Sequence, residues 1–215
     1  PMAPSSQDLE PPAIPGRFIS SQGRVYALCA NVLDRTMIHA FSADGKILRS
    51  FCPTFGVGLD DIDTHDEMAY ASGRIDVHDD RIYFTQLAPQ AIRVYTMDGD
   101  LIREFPRSPY GGGRPPTVRN ADGSRTIRAI RGAVSLVVLP DGALLNTILV
   151  PPTEDQEAGS VIEHYDPNGD LIQVARTSTP LQPKTVDSSG HVWAVDNVPY
   201  GVVLRYPIPR TPDRR

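Results

Sequence analysis

One short pattern occurs three times in the chain and constrains its fold more than any other feature. In each copy an apolar strand ends in an aromatic residue, a turn with Asp-Gly or Asn-Gly follows, and a second apolar strand continues. The copies span 37–51, 92–105 and 161–174. Such a dipeptide between alternating strands is a strong hairpin signal, because the tight turn needs a positive φ. The chain is therefore predicted to consist of repeated β-hairpins.

Two more strands precede each hairpin and complete a repeating unit of four strands. The order is strand, tight turn, strand, loop, strand, tight turn, strand. The same order begins once more near the end of the chain, at His191–Tyr206, but no hairpin follows Tyr206 and the last nine residues contain three prolines. We predict four units, of which the last lacks its outer strand, at about 17–51, 75–105, 134–174 and 184–208. A proline-rich segment, 1–16, precedes them and a tail, 209–215, follows them.

The spacing of the units favours a β-propeller. The aromatic markers Phe41, Tyr95, Tyr165 and Tyr206 lie 54, 70 and 41 residues apart, and the shortest spacing matches the roughly 40–50 residues of a four-stranded blade. A β-sandwich can contain the same hairpins, but it does not require a repeated order of turns and loops. We therefore predict an all-β fold, a propeller of four-stranded antiparallel blades.

The repeated order of apolar-aromatic strand, Ile-x-x-aromatic and x-Asp-Gly resembles the NHL-type and TolB-like six-bladed β-propellers. The segment 191–197, His-Val-Trp-Ala-Val-Asp-Asn, is the part most similar to the NHL consensus. The resemblance covers about 18–208 and implies that the four blades are part of a six-bladed ring. Missing N-terminal blades, or self-association at the open ends, would follow from it; a four-bladed ring is the alternative. It also implies a periplasmic or secreted bacterial protein.

Composition excludes several classes of protein. The formal net charge of −5 gives no general affinity for nucleic acid, and the longest apolar run is too short for a membrane span. Two cysteines, Cys29 and Cys52, are too few to indicate a compartment, and we interpret them as thiols rather than a disulfide.

The long connections are predicted to lie on one face of the propeller, which is where binding residues usually gather. The stretch 57–80 is acidic and the stretch 107–131 is basic, so they either neutralise each other or form a cation site and an anion site. The segment Pro109–Arg114 lacks the Gly-Lys-Ser/Thr ending of a phosphate loop and is interpreted as a flexible loop. The candidate binding residues are Asp60, Asp61, Asp63, His65, Tyr110, Arg114 and Arg119.

No complete catalytic set is visible, because neither Gly-x-Ser-x-Gly nor His-Glu-x-x-His occurs. We therefore expect a non-enzymatic module that binds a protein, peptide or glycan through its long loops and needs no cofactor. The resemblance implies an alternative, a calcium-dependent lactonase-like hydrolase with the ion in the central channel. In that case Asn146, Asp196 and Asn197, at or just after the second strands, would be the ligands, although no Glu occupies an equivalent position.

Overall fold

The computed structural model of the chain describes residues 18–31, 36–53, 73–112, 117–123, 125–127, 131–152, 158–196 and 202–207. Within these ranges the regular secondary structure is entirely β-strand. No helix in the described part of the chain has the length and apolar character needed to cross a membrane.

The strands form four successive blades. Blade 1 contains β1 (Phe18–Ser21), β2 (Arg24–Asn31), β3 (Thr36–Phe41) and β4 (Ile47–Pro53). Blade 2 contains β5 (Gly73–His78), β6 (Arg81–Gln86), β7 (Ala91–Thr96) and β8 (Leu101–Glu104). A small hairpin of β9 (Thr117–Arg119) and β10 (Arg125–Ile127) follows. Blade 3 contains β11 (Gly132–Val138), β12 (Leu144–Val150), β13 (Gly159–Tyr165) and β14 (Leu171–Thr177), and blade 4 contains β15 (Leu181–Val186), β16 (His191–Asp196) and β17 (Val202–Pro207).

Each blade is an antiparallel sheet in which every strand pairs with the next one along the chain. The first strands of neighbouring blades pack together, β1 with β5, β5 with β11 and β11 with β15, so they form the inner wall of the assembly. This arrangement confirms the predicted β-propeller of four blades. The described part of blade 4 is three-stranded, and the segment after Pro207, where the sequence predicts no outer strand, lies outside the described residues. The segments 1–16 and 209–215 lie outside the described residues.

Most of the hydrophobic core in the described residues lies between blades. Separate clusters of buried side chains join blade 1 to blade 2, blade 2 to blade 3, and blade 3 to blade 4. A sheet that alternates apolar residues on both faces can be covered only by neighbouring sheets, which explains why the blades stack.

The repeated hairpin has a structural reason that extends across the seams. Phe51, in the last strand of blade 1, lies 5.4 Å from the ring of Tyr95 in blade 2 and would be 2.6 Å from a Cβ placed on Gly99. Phe105, after the last strand of blade 2, has the same relation to blade 3, 5.6 Å from Tyr165 and 3.1 Å from a Cβ on Gly169. The aromatic marker and the turn glycine of one blade therefore form the socket for a phenylalanine of the blade before it.

Two features of the connection between blades 2 and 3 differ from the sequence interpretation. The connection between blades 2 and 3, predicted as one long loop, contains the hairpin of β9 and β10, whose turn has Asp122 and Gly123, the same hairpin signal as elsewhere. The described part of Pro109–Arg114 was interpreted as flexible, but Gly111 and Gly112 are packed tightly against Gln90 and the backbone of Arg131. Both cysteines are free thiols, as predicted.

Candidate binding site at the seam of blades 2 and 3

A buried carboxyl group lies at the centre of the seam between blades 2 and 3. Glu163, in β13, is 0% exposed. Its Oε2 accepts hydrogen bonds from Asn146 Nδ2 at 2.8 Å and from the Tyr165 hydroxyl at 3.0 Å, and its Oε1 accepts one from the Ser108 hydroxyl. Removal from water raises the pKa of Glu163, and the three donors act in the opposite direction by favouring the ionised form.

Asn146 connects this carboxyl group to blade 2. It lies opposite Glu163 in the register of β12 and β13, and its Oδ1 accepts a hydrogen bond from the Thr85 hydroxyl of β6 at 3.1 Å. Thr85 and Asn146 are both fully buried. The hydrogen-bonded series Thr85–Asn146–Glu163 therefore crosses the seam and satisfies buried polar groups from both blades.

Ser108 ties the segment that follows blade 2 to the same network. While its hydroxyl donates to Glu163, its Oγ accepts from the backbone N–H groups of Tyr110 and Gly111 at 2.9 and 3.1 Å. The backbone N–H of Ser108 donates to Gln90 Oε1 at 3.3 Å. Gly111 lies so close to Gln90 that a Cβ atom added to this glycine would be 2.7 Å from the Cβ of Gln90. Only a glycine fits this close approach without displacing its neighbour.

The anchored segment presents the side chain of Tyr110 at the long-loop end of blade 3. The ring packs against an apolar cluster of Ile148, Val150 and Val161, and the guanidinium carbon of Arg176 lies 5.4 Å from its centroid. Arg176 is exposed, whereas Tyr110 is half-buried. We call this pair the Tyr110–Arg176 platform. A ring held on one side by the core and flanked by a cation offers a rigid aromatic edge and a positive charge for recognition.

The residues of the calcium hypothesis are not brought together. Asn146 faces blade 2, because it bonds Thr85. Asp196 shares the face of β16 with Val192, which packs against Leu139 and Leu145 on the opposite side of the blade 3 sheet. Asn197 lies outside the described residues. Among the residues that the structure describes, no group of three His, Cys, Asp or Glu side chains is placed to hold a metal ion.

The other candidate residues fall largely outside the described ranges. Arg119 belongs to β9, of which the backbone alone is described. The candidate residues that lie outside the described ranges are Asp60, Asp61, Asp63, His65 and Arg114.

The sequence interpretation missed Glu163 and Ser108. The alternation in β13 carried a signal for the first of them, since Glu163 shares a face with Tyr165, the aromatic marker that points into the seam. A charged residue at an inward position of a strand indicates a buried polar network. Ser108 had no comparable signal, because it lies 55 residues from Glu163 in the chain.

Comparison with known proteins adds evidence on the fold. No protein-family model matches the chain, and no curated protein matches it. The structure is similar to the crystal structure of a member of the DUF4221 family from Bacteroides vulgatus, with a TM-score of 0.52 and 7% sequence identity. The match covers 88% of this chain and 61% of that one, so the chain spans about three fifths of the length of its neighbour. Identity this low supports the shared fold alone.

Proposed function

We propose that the chain is a non-enzymatic binding module and that the Tyr110–Arg176 platform contacts its partner. The observation that carries the proposal is the anchoring of Tyr110 by Ser108 and the buried Glu163, with Arg176 beside the ring. Tyrosine and arginine are enriched at recognition surfaces, and a contact residue that is already fixed loses little conformational entropy on binding.

The positive charge of Arg176 and of the connection between blades 2 and 3 favours an anionic partner. Arg107 and Arg131 are exposed in the same connection between blades 2 and 3, and Arg176 adds a third cation. We propose a protein, peptide or glycan that carries carboxylate groups, and we include Arg114 and Arg119 as further contacts on the basis of the sequence. The second proposed contact region, on the same basis, consists of three acidic residues and a histidine: Asp60, Asp61, Asp63 and His65.

The wider setting of the module is proposed from the sequence resemblance alone. In that proposal the four blades belong to a six-bladed ring of NHL or TolB-like type in a periplasmic or secreted protein. The calcium-dependent hydrolase has less support, because Asn146 is part of the seam network and faces away from Asp196. Under the binding proposal, Asn146→Ala lowers the melting temperature equally in calcium and in chelator; a loss confined to calcium would favour the hydrolase.

The platform can be tested with two labelled probes, an oligoglutamate peptide and an oligogalacturonate, by fluorescence anisotropy. We expect Tyr110→Ala and Arg176→Ala to weaken binding of the preferred probe at least tenfold, in keeping with hot-spot residues. Tyr206→Ala, an exposed tyrosine of blade 4, and Arg81→Ala, an exposed arginine at the opposite end of blade 2, are the matched controls. No binding of either probe, or equal binding by all four variants, would contradict the proposal.

A further inference from the structure

A cavity of about 320 Å³ lies between the inner strands of blades 2, 3 and 4, away from the platform. Its wall includes Asp76, His78 and Val138, together with Lys184, Thr185 and Val186. The cavity is at the tight-turn end of the propeller, because His78 and Val186 are the last residues before the first turns of their blades. Its volume is within the range of pockets that bind small molecules. We call it the axial cavity.

Asp76 supplies a fixed negative group to this wall. One carboxylate oxygen accepts a hydrogen bond from the Val77 backbone N–H at 3.0 Å, and the other accepts one from the Val138 N–H of blade 3 at 2.9 Å. These bonds hold the carboxylate in place across the seam. Each carboxylate oxygen can accept more than one hydrogen bond, so a donor on a ligand can still be received.

Lys184 supplies the positive group, and it lies at a local irregularity of its strand. Pro183 pairs with Ala194 and the next pair is Thr185 with Trp193, so Lys184 is the extra residue of a β-bulge. A bulge changes the direction in which a side chain points and is common beside functional sites. The Pro183 carbonyl at this bulge accepts a hydrogen bond from the Ser135 hydroxyl of β11, which ties the bulge to blade 3. The ammonium group of Lys184 donates to Gln182 Oε1 at 2.7 Å.

His78 and Thr185 complete the polar part of the wall. The Nε2 atom of His78 is buried and has no hydrogen-bond partner; it lies 3.3 Å from an Asp79 carboxylate oxygen but is not aligned with it. Thr185 is exposed beside Lys184 and offers a hydroxyl group. The side chains of Val138 and Val186 give the cavity an apolar side.

We propose that the axial cavity binds a small α-hydroxy or α-amino carboxylic acid with an apolar side chain. The ligand carboxylate meets Lys184 and Thr185, and the donor on the adjacent carbon meets Asp76. The apolar side chain lies against Val138 and Val186. A fixed anion and a cation in the lining of one small cavity match a ligand that carries an acceptor and a donor on neighbouring atoms, since charge-assisted hydrogen bonds form at both ends. This site is independent of the platform.

The sequence makes a direct test possible, because the chain has two lysines, Lys46 and Lys184. Reductive methylation with ¹³C-formaldehyde gives each lysine its own NMR resonance and keeps its charge. Lys46 is the internal reference, because it is exposed in blade 1 and pairs with Asp44 at 2.8 Å. The probes are L-leucine, its α-hydroxy analogue and 4-methylpentanoate, which differ in the group on the α-carbon alone.

We expect leucine or its hydroxy analogue to cause a saturable shift of the Lys184 resonance. 4-Methylpentanoate should bind at least tenfold more weakly, and the Lys46 resonance should not move with any probe. The stronger of the first two probes identifies the source as an amino acid or a hydroxy acid. No saturable shift, an equal response to 4-methylpentanoate, or parallel shifts of both lysines would overturn the proposal. By calorimetry, Lys184→Met should bind the preferred probe at least tenfold more weakly, whereas Lys46→Met should bind it normally.

Discussion

The buried carboxyl group of Glu163 makes the seam between blades 2 and 3 sensitive to pH. Burial raises its pKa above the ordinary value of about 4.3. Between that ordinary value and the raised one, the folded chain binds more protons than the unfolded chain. The contribution of Glu163 to the free energy of unfolding is therefore largest at low pH and falls as the pH rises through this window.

Glu163→Gln removes the titrating group, so the unfolding free energy of the variant should lack this decrease with rising pH. Urea denaturation of the parent and the variant over a pH series gives the comparison. We expect the difference in unfolding free energy, parent minus variant, to decrease as the pH rises from about 4. A difference that stays constant over the whole series would show that the pKa of Glu163 is not raised.

The turn glycines of blades 1 and 2 provide a matched pair that isolates one contact between blades. Gly99 has φ +87° and its Cβ would meet the ring of Phe51 at 2.6 Å, whereas Gly45 has φ +81° and open space around it. Gly45→Ala should lower the unfolding free energy by roughly 1–2 kcal/mol, because alanine is strained in the left-handed backbone conformation. Gly99→Ala should cost about 1–3 kcal/mol more, because the added methyl group overpacks the seam. Equal unfolding free energies for the two variants would argue against the socket.

At the level of single residues, the sequence predicted the positions of the turns but not the contacts that the turn glycines make with the neighbouring blade. The Asp-Gly and Asn-Gly dipeptides indicated a positive φ, and Gly45, Gly99 and Gly169 have it. The contact of Gly99 with Phe51 was not predictable, because it depends on how two blades are placed against each other. Glu163 was readable as an inward charge, but its partners come from three different segments of the chain.

Among the elements, the segment after blade 2 depends on one hydroxyl group for its position. Ser108 donates to Glu163 and accepts from the backbone of Tyr110 and Gly111. Ser108→Ala leaves those two N–H groups and one carboxylate oxygen without this partner, which should lower the unfolding free energy by roughly 1–3 kcal/mol. Hydrogen exchange should also become faster in 108–112. Ser178→Ala, at an exposed position after β14, is the control and should change neither quantity.

The strands were more predictable than the connections, for a physical reason. Alternation and turn dipeptides are local signals, and they located the strands of blades 1 to 3 and the three described strands of blade 4. The hairpin of β9 and β10 has short strands that lack apolar alternation, so its Asp-Gly turn was passed over. The packing of Gly111 and Gly112 was missed because a run of glycines indicates flexibility unless the neighbouring backbone is known.

Considered as a whole, the molecule offers different kinds of site at its two ends. The long connections led the sequence interpretation to one face, where the platform lies. The axial cavity is at the other face, where the turns are short, and its residues come from three blades whose meeting cannot be predicted from spacing in the sequence. Side chains on the inner strands of a propeller converge because of the arrangement of the blades, not because of any local motif.

The blades differ in how much of their surface is covered, and this should appear as a gradient of local stability. Blade 3 contributes to apolar clusters on both of its faces, with blade 2 and with blade 4. The last described strand of blade 4 is β17, where Val202 and Val203 are 50% and 61% exposed. In assemblies of stacked repeats, stability is approximately the sum of the repeats and their nearest-neighbour interfaces. A repeat with less covered surface therefore opens at lower free energy.

Native-state hydrogen exchange should accordingly be slowest in β12 and β13 and fastest in β16 and β17. Asp187→Asn provides a directed perturbation, because Asp187 accepts bonds from the His191 backbone at 3.0 Å and from Trp193 Nε1 at 2.9 Å. The Ser189 hydroxyl, together with these two donors, holds the pKa of the Asp187 carboxyl well below its usual range, so the ionised form stabilises blade 4 at neutral pH and the effect is lost in acid. The variant should exchange faster in blade 4 while blade 2 is unchanged. Uniform acceleration in all blades would mean that the chain opens as one cooperative unit, because the seams would then be stronger than the blades that they join.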